Sequence, residues 1–327
     1  MKDLLARDRI RVSECFVGWI LVAVLLVTSR PSRGRGGEEE KVPRHAFTVE
    51  RNVVYDIADD EKLKADIYLP TKKTDGLRPG VLMIHGGAWM SGSKFNVAAH
   101  AMKLARNGYV VMAINYRLAP KHKFPAQLED CTTALKWFGE HADKYKTNTE
   151  RLATYGYSAG GHLACLLGLK SAQAPVQLGD SREIKIRAIV AGGAPCEFRL
   201  IPEESRTLAY WLGGTREKLP AQYRDASPTT FVSKNAPPVF FFHGDQDKIV
   251  PLRSPEALRA RLEQQQTLVE MKVVKDHDHI MTFFHRPSMD AAREFLDTHL
   301  KQTSTGQAPA RIAPAEQDEA LKLPQVQ

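Results

Sequence analysis

With 327 residues, 43% of them apolar and 26% charged, the chain has the length and apolar content of a full α/β core, which excludes bulk disorder. The formal charge of +8 comes from scattered Lys and Arg, with no basic run interleaved with aromatics. That distribution argues against a nucleic-acid partner. Beyond Cys15 there are three cysteines, Cys131, Cys165 and Cys196, in neither a disulfide framework nor a metal-ligand spacing. Cys131 and Cys165 fall on apolar helical faces and read as small buried hydrophobes.

In chain order, the first feature is an unbroken apolar run over residues 16–27, behind Lys2, Arg7, Arg9 and Arg11. A bilayer span needs about 20 residues, so the run suits the core of an export signal with cleavage near Thr28. The other reading is an uncleaved membrane anchor, the one expected route to a membrane. Residues 1–29 are thus a signal peptide or anchor of an exported protein. Residues 30–45 form a mobile Gly- and charge-rich linker, and 302–327 a disordered polar tail.

Residues 47–57 and 62–69 alternate apolar and polar, predicting an antiparallel strand pair. Residues 80–84 are continuously apolar, as expected of a central parallel strand buried on both faces. A helix over 95–107, a strand over 109–115, a helix over 124–145 and a strand at 152–155 follow. Further strands are predicted at 188–192, 239–242 and 268–274, with a closing helix at 288–300. This alternation predicts one α/β domain over residues 46–301, a mostly parallel doubly wound sheet with helices on both faces. Between the sixth and seventh strands lie about forty residues with helical patches at 204–212 and 216–223. That exceeds an ordinary crossover and reads as a small cap over about 195–237.

The chemistry centres on Gly156-Tyr-Ser158-Ala-Gly160, between an apolar strand and an apolar helix. This is the context of a nucleophile elbow, in which a sharp strained turn lifts the serine hydroxyl out of the sheet. A serine needs a partner to take its proton and donors to hold the oxyanion. For the donors, His85-Gly-Gly-Ala-Trp89 follows the buried strand directly, and its glycines let backbone amides face a pocket. The expected oxyanion donors are the amides of Gly87, Ala88 and Ala159. His85, Gly86 and Trp89 support the loop, although Trp89 has a second reading as a wall of the acyl pocket. His162, Tyr116 and Arg117 read as structural.

These segments, together with Asn115-Tyr-Arg-Leu-Ala-Pro120, Phe124-Pro-Ala126 and Asp130, resemble an α/β-hydrolase of the hormone-sensitive-lipase and acetyl-esterase group. Within that group the likeness is to the bifunctional feruloyl/acetyl-xylan esterase-like branch, and it spans roughly residues 53–300. Ala88 departs from the third glycine of many members and Asn115 from an aspartate, but neither supplies a catalytic side chain. The resemblance implies the α/β-hydrolase fold and the chain order serine, acid, histidine. It places the acid at Asp247, in His243-Gly-Asp-Gln-Asp247-Lys-Ile-Val-Pro251, with Asp245 as the competing carboxylate. It places the base at His279, in Asp276-His-Asp-His279-Ile280, with His277 as the competing imidazole. The implied activity is a serine carboxylesterase acting on small acyl esters, with no cofactor or metal. The alternatives are an amidase, peptidase or formamidase-like hydrolase on the same triad, and a non-catalytic binding protein of the same fold.

Overall fold

The computed structural model describes residues 46–301, except 202 and 204. The expected signal or anchor, the linker and the tail lie outside the described residues. In chain order the elements are β1 (Phe47–Ala58), β2 (Glu61–Pro70), β3 (Arg78–Ile84), α1 (Ala98–Arg106), β4 (Val110–Ile114), α2 (Ala126–Glu140), α3 (Ala142–Tyr145) and β5 (Thr147–Tyr157). They continue with α4 (Ala159–Gln173), β6 (Val176–Gln177), β7 (Glu183–Ile184), β8 (Ile186–Gly192), α5 (Arg206–Leu212) and α6 (Pro220–Ala226). The last are β9 (Val239–Gly244), α7 (Arg253–Gln264), β10 (Val269–Val274), α8 (His279–Phe283) and α9 (Arg286–Leu300).

Eight strands form one sheet in the order β1-β2-β4-β3-β5-β8-β9-β10, while β6 and β7 make a separate two-stranded pair. The β1–β2 and β2–β4 pairings are antiparallel and all later pairings in the large sheet are parallel. The α/β-hydrolase fold expected from the sequence is therefore the fold observed. The period of two in β3 sends Leu82 and Ile84 to one face, against α2, α4 and α7, and Val81 and Met83 to the other, against α1 and α9. The parallel strands end along one edge of the sheet, where the loops after β3, β5, β9 and β10 converge. That edge is where open α/β sheets place their sites.

Several local differences separate the structure from the sequence reading. The helix expected over 124–145 breaks at His141, whose Nδ1 donates to the Trp137 carbonyl at 2.9 Å and whose ring stacks on Trp137. Lys146, left-handed at φ 53°, then ends the short α3. The helix expected from residue 95 starts at Ala98, because Asn96 Oδ1 accepts from the Ser93 N–H at 2.6 Å in a preceding 3₁₀ turn. Helices α7 and α8 and the β6–β7 pair were not anticipated. In α7 only Ser254, Pro255, Leu258 and Leu262 are buried, too sparse an apolar stripe to read. All three cysteines among the described residues are buried and free.

A buried ion pair ties the edge hairpin to the chain leaving β3. Lys94 Nζ lies 3.1 Å from Asp66 Oδ1 and donates to Asn52 Oδ1 at 3.0 Å. The Asn52 N–H donates to the same carboxylate at 2.8 Å, and Arg51 reaches Oδ2 from the surface. The Lys94 N–H also donates to Asn115 Oδ1 at 2.8 Å, which gives the Asn115 departure a structural use. Lys94→Met leaves a buried carboxylate whose one remaining cationic partner, Arg51, is exposed, and should cost about 3 kcal/mol of unfolding free energy. Adding Asp66→Asn should recover part of that loss; urea unfolding of the single and double variants checks both.

Candidate active site

From Leu152 to Leu169 every residue is buried except Ser158. The backbone causes this exposure. Ser158 sits at φ 55°, ψ −125° between β5 and α4, a region that costs a non-glycine residue of order 1–3 kcal/mol. Neighbouring contacts hold it there. The Ser158 N–H donates to the Gly192 carbonyl at 2.8 Å, and the Ser158 carbonyl accepts from the His162 N–H at 3.0 Å. The flanking glycines are required by close approach: a Cβ on Gly156 would lie 2.1 Å from the Gly160 carbonyl oxygen, and one on Gly160 would lie 2.1 Å from that of Ile84.

The loop after β3 lies directly against this turn, since a Cβ on Gly86 would come within 3.2 Å of Ser158 Cβ. Its amide directions follow from peptide planarity. In a trans peptide the C=O and the next N–H point opposite ways. His85 Nδ1 donates to the Gly86 carbonyl at 2.7 Å, so the Gly87 N–H faces away from the His85 ring. The Gly87 carbonyl accepts from the Met90 and Ser91 N–H groups at 3.0 Å and from Ser91 Oγ at 3.1 Å, so the Ala88 N–H faces away from that cluster. The Ala159 N–H, at the first residue of α4, points out of the helix N-terminus. Ala88 and Trp89 adopt φ 52° and 60°, so the loop keeps its left-handed turn without the third glycine.

Supports for this loop are buried and aromatic. Tyr116 Oη donates to the His85 carbonyl at 2.9 Å, and the two rings stack at 4.2 Å. Arg117 binds Asp130 through Nε, Nη2 and its own N–H, the structural role expected of it. Trp89 is 4% exposed, stacks on Trp211 of α5 at 3.9 Å and donates from Nε1 to His162 Nδ1 at 3.1 Å. These contacts make it a packing residue of the loop. His162 passes the contact on, donating from Nε2 to the Ala226 carbonyl of α6 at 2.7 Å.

Asp247 and His279 meet 32 positions apart in sequence, with Nδ1 donating to Oδ2 at 2.6 Å. The other oxygen accepts from the Ile249 and Val250 N–H groups at 2.9 and 2.8 Å. Burial pushes the Asp247 carboxyl up, but hydrogen bonds from His243 and His279 outweigh it and hold the group well below the usual carboxylate range. A fixed anion on Nδ1 leaves Nε2 of the neutral ring free to accept a proton. Asp278 caps α8, its Oδ1 accepting from the Met281 N–H at 2.8 Å, and so sets His279 at the first helical position. The competitors stand apart: Asp245 is exposed, and His277 Nδ1 donates to the Lys275 carbonyl while its ring packs on His285. No direct hydrogen bond joins Ser158 Oγ to His279. His243, whose Nε2 lies 3.3 Å from Asp247 Oδ2, was overlooked although it stands four residues before the acid in the same motif. Among the described residues no group of three or more His, Cys, Asp or Glu could hold a metal ion.

The BD-FAE family model matches residues 65–262. Esterase LipC of Mycobacterium tuberculosis is 32% identical over 226 residues, which is 65% of this chain and 54% of that protein. Arylacetamide deacetylase of Bos taurus is 36% identical over 145 residues, 43% of this chain and 35% of that protein. The chain thus spans about half or less of the length of the curated relatives it matches. Among solved structures, a truncated carbohydrate esterase from gut microbiota superposes with a TM-score of 0.71 at 22% identity, covering 79% of this chain and 99% of that one. A thermophilic esterase of the Planctomycetes species Thermogutta terrifontis gives 0.65 at 23% identity, covering 82% and 96%. At those identities the two structures establish the shared fold.

Three fully buried histidines, His85, His100 and His162, are each pulled from 6.5 to about 4 by burial. Each stays neutral in the folded protein while the unfolded chain takes up the proton, so stability falls as pH drops from 6.5 towards 4. The expected slope is roughly 1.4 kcal/mol per histidine per pH unit within that window. Thermal unfolding between pH 7 and 5 measures it, and His162→Gln should flatten the dependence.

Proposed function

The chain belongs to the BD-FAE family, and from the geometry of its site we propose that it is a serine carboxylesterase hydrolysing small acyl esters through an acyl-enzyme on Ser158. The observation that carries this reading is the 2.6 Å Asp247–His279 pair, with His279 tied through its carbonyl to Tyr157, the residue before the partly exposed Ser158. In the proposed mechanism His279 Nε2 takes the Ser158 proton as Oγ attacks the ester carbonyl. Asp247 holds the ring by Nδ1 and stabilises the imidazolium that forms. The oxyanion rests on the amides of Gly87, Ala88 and Ala159, each worth about 3 kcal/mol in the transition state. His279 then gives its proton to the departing alcohol. Water, deprotonated by the same imidazole, attacks the acyl carbonyl; the acid leaves and Ser158 regains its hydrogen.

The acyl group we propose is acetyl or feruloyl, on esters that include those carried by polysaccharide. The family membership and the fold shared with a carbohydrate esterase support this class. A second reading has one specific support, the 36% identity to a protein named arylacetamide deacetylase: hydrolysis of small aryl acetamides by the same groups.

A series of p-nitrophenyl esters from acetate to decanoate, with acetylated xylan, methyl ferulate and 4-nitroacetanilide, tests the two. Turnover should be strongest on the shortest esters and fall to background in Ser158→Ala. Equal rates on the long chains would reject the small-acyl assignment, and a preference for the anilide would favour the amidase. His279→Ala should cut turnover to a small residual rate while His277→Ala leaves it near wild type; the opposite pattern would move the base to His277.

A further inference from the structure

Two tyrosines on one face of β5 reach the two ends of the helix that carries the proposed base. Tyr155 and Tyr157 are two residues apart, so both side chains leave the strand on the same side. Tyr157, the residue before Ser158, donates from Oη to the backbone carbonyl of His279 at 2.5 Å. Its ring lies 5.1 Å from the His279 ring and 5.0 Å from Phe283. Tyr155 acts through His100. His100 Nε2 donates to the Phe283 carbonyl, the last residue of α8, at 3.2 Å, and the rings stack at 4.7 Å. With Nε2 carrying the hydrogen, Nδ1 of the neutral ring accepts from Tyr155 Oη at 2.9 Å. Tyr155, Tyr157 and His100 are all buried, and none has a part in the chemistry described above.

We propose that Tyr157 and His100 are positioning residues that fix the base relative to the nucleophile, Tyr157 directly and His100 from the far end of α8. The reasoning is mechanical. Helix α8 has five residues, too few to hold itself, and no hydrogen bond joins Ser158 Oγ to His279. The distance between the two reacting groups must come from elsewhere. Tyr157 supplies it through one side chain, because its backbone is bonded to Ser158 and its hydroxyl to the His279 carbonyl. The inference rests on the reading of Ser158 and His279 as nucleophile and base.

The test is a double-mutant cycle on p-nitrophenyl acetate with Tyr157→Phe, His279→Ala and their combination. Tyr157→Phe keeps the ring and removes one hydrogen bond. It should lower kcat on the order of 10–100-fold, the cost of a small misplacement of reacting groups, with KM changed less than about threefold. In the His279→Ala background the same substitution should change the residual rate less than about twofold, because its effect passes through the imidazole. Full activity in Tyr157→Phe, or the same fold-loss with and without His279, would overturn the proposal; a general loosening of the fold produces the second result. If Tyr157→Phe does not fold, as judged by its thermal transition, His100→Phe enters the same cycle, expected loss about 3–10-fold, under the same two criteria. Absence of Ser158-dependent esterase activity in the wild-type protein would instead defeat the functional reading itself.

Discussion

One backbone conformation, the left-handed turn at Ser158, is the constraint to which the other parts of the site are fitted. The turn is strained, so it persists only because its surroundings leave no relaxed alternative. Ser158 is clasped at its N–H by Gly192 and at its carbonyl by His162, while Gly156 and Gly160 close to distances that admit no Cβ. The second of those close approaches is to the end of β3, where the proposed oxyanion loop begins. The strain that exposes the hydroxyl therefore also fixes where the amides can be.

The amides are aimed by what holds the opposite end of each peptide. His85 and Ser91 touch no reacting atom, yet the carbonyls they bind determine the directions of the Gly87 and Ala88 N–H groups. The acid obeys the same logic. Asp247 is charged inside the protein because three groups donate to it, two of them backbone amides of its own loop, with the His243 ring alongside. In both cases short-range bonds within a loop prepare an electrostatic environment before any substrate arrives.

How much of this could be read in advance depends on whether a contact leaves a pattern in sequence. The β3 and β5 strands were readable because burial on both faces demands continuous apolar residues. Ser158 and the Gly87–Ala88 loop were readable because steric demands restrict residue type at fixed spacing, whereas Asp247 was reached only through the family resemblance. His279 was preferred to His277, two positions away, only through the same resemblance, since two neighbouring imidazoles look alike in sequence until one meets a carboxylate. Tyr157 and His100 were unreadable for a different reason: each binds a backbone carbonyl, which any residue carries. Helix α7 was missed because two leucines suffice to seat it beside an already formed sheet.

Trp89 stacks face to face on Trp211, and His162 reaches from beneath the elbow to the carbonyl of Ala226. The segment between β8 and β9 is thus keyed to the very residues that shape the amide pocket. Such an insertion is not a modular hat that recombination could swap for a relative's without touching the chemistry below. A change at Trp211 or in the backbone at Ala226 is therefore felt at Trp89 and His162, directly under the catalytic turn.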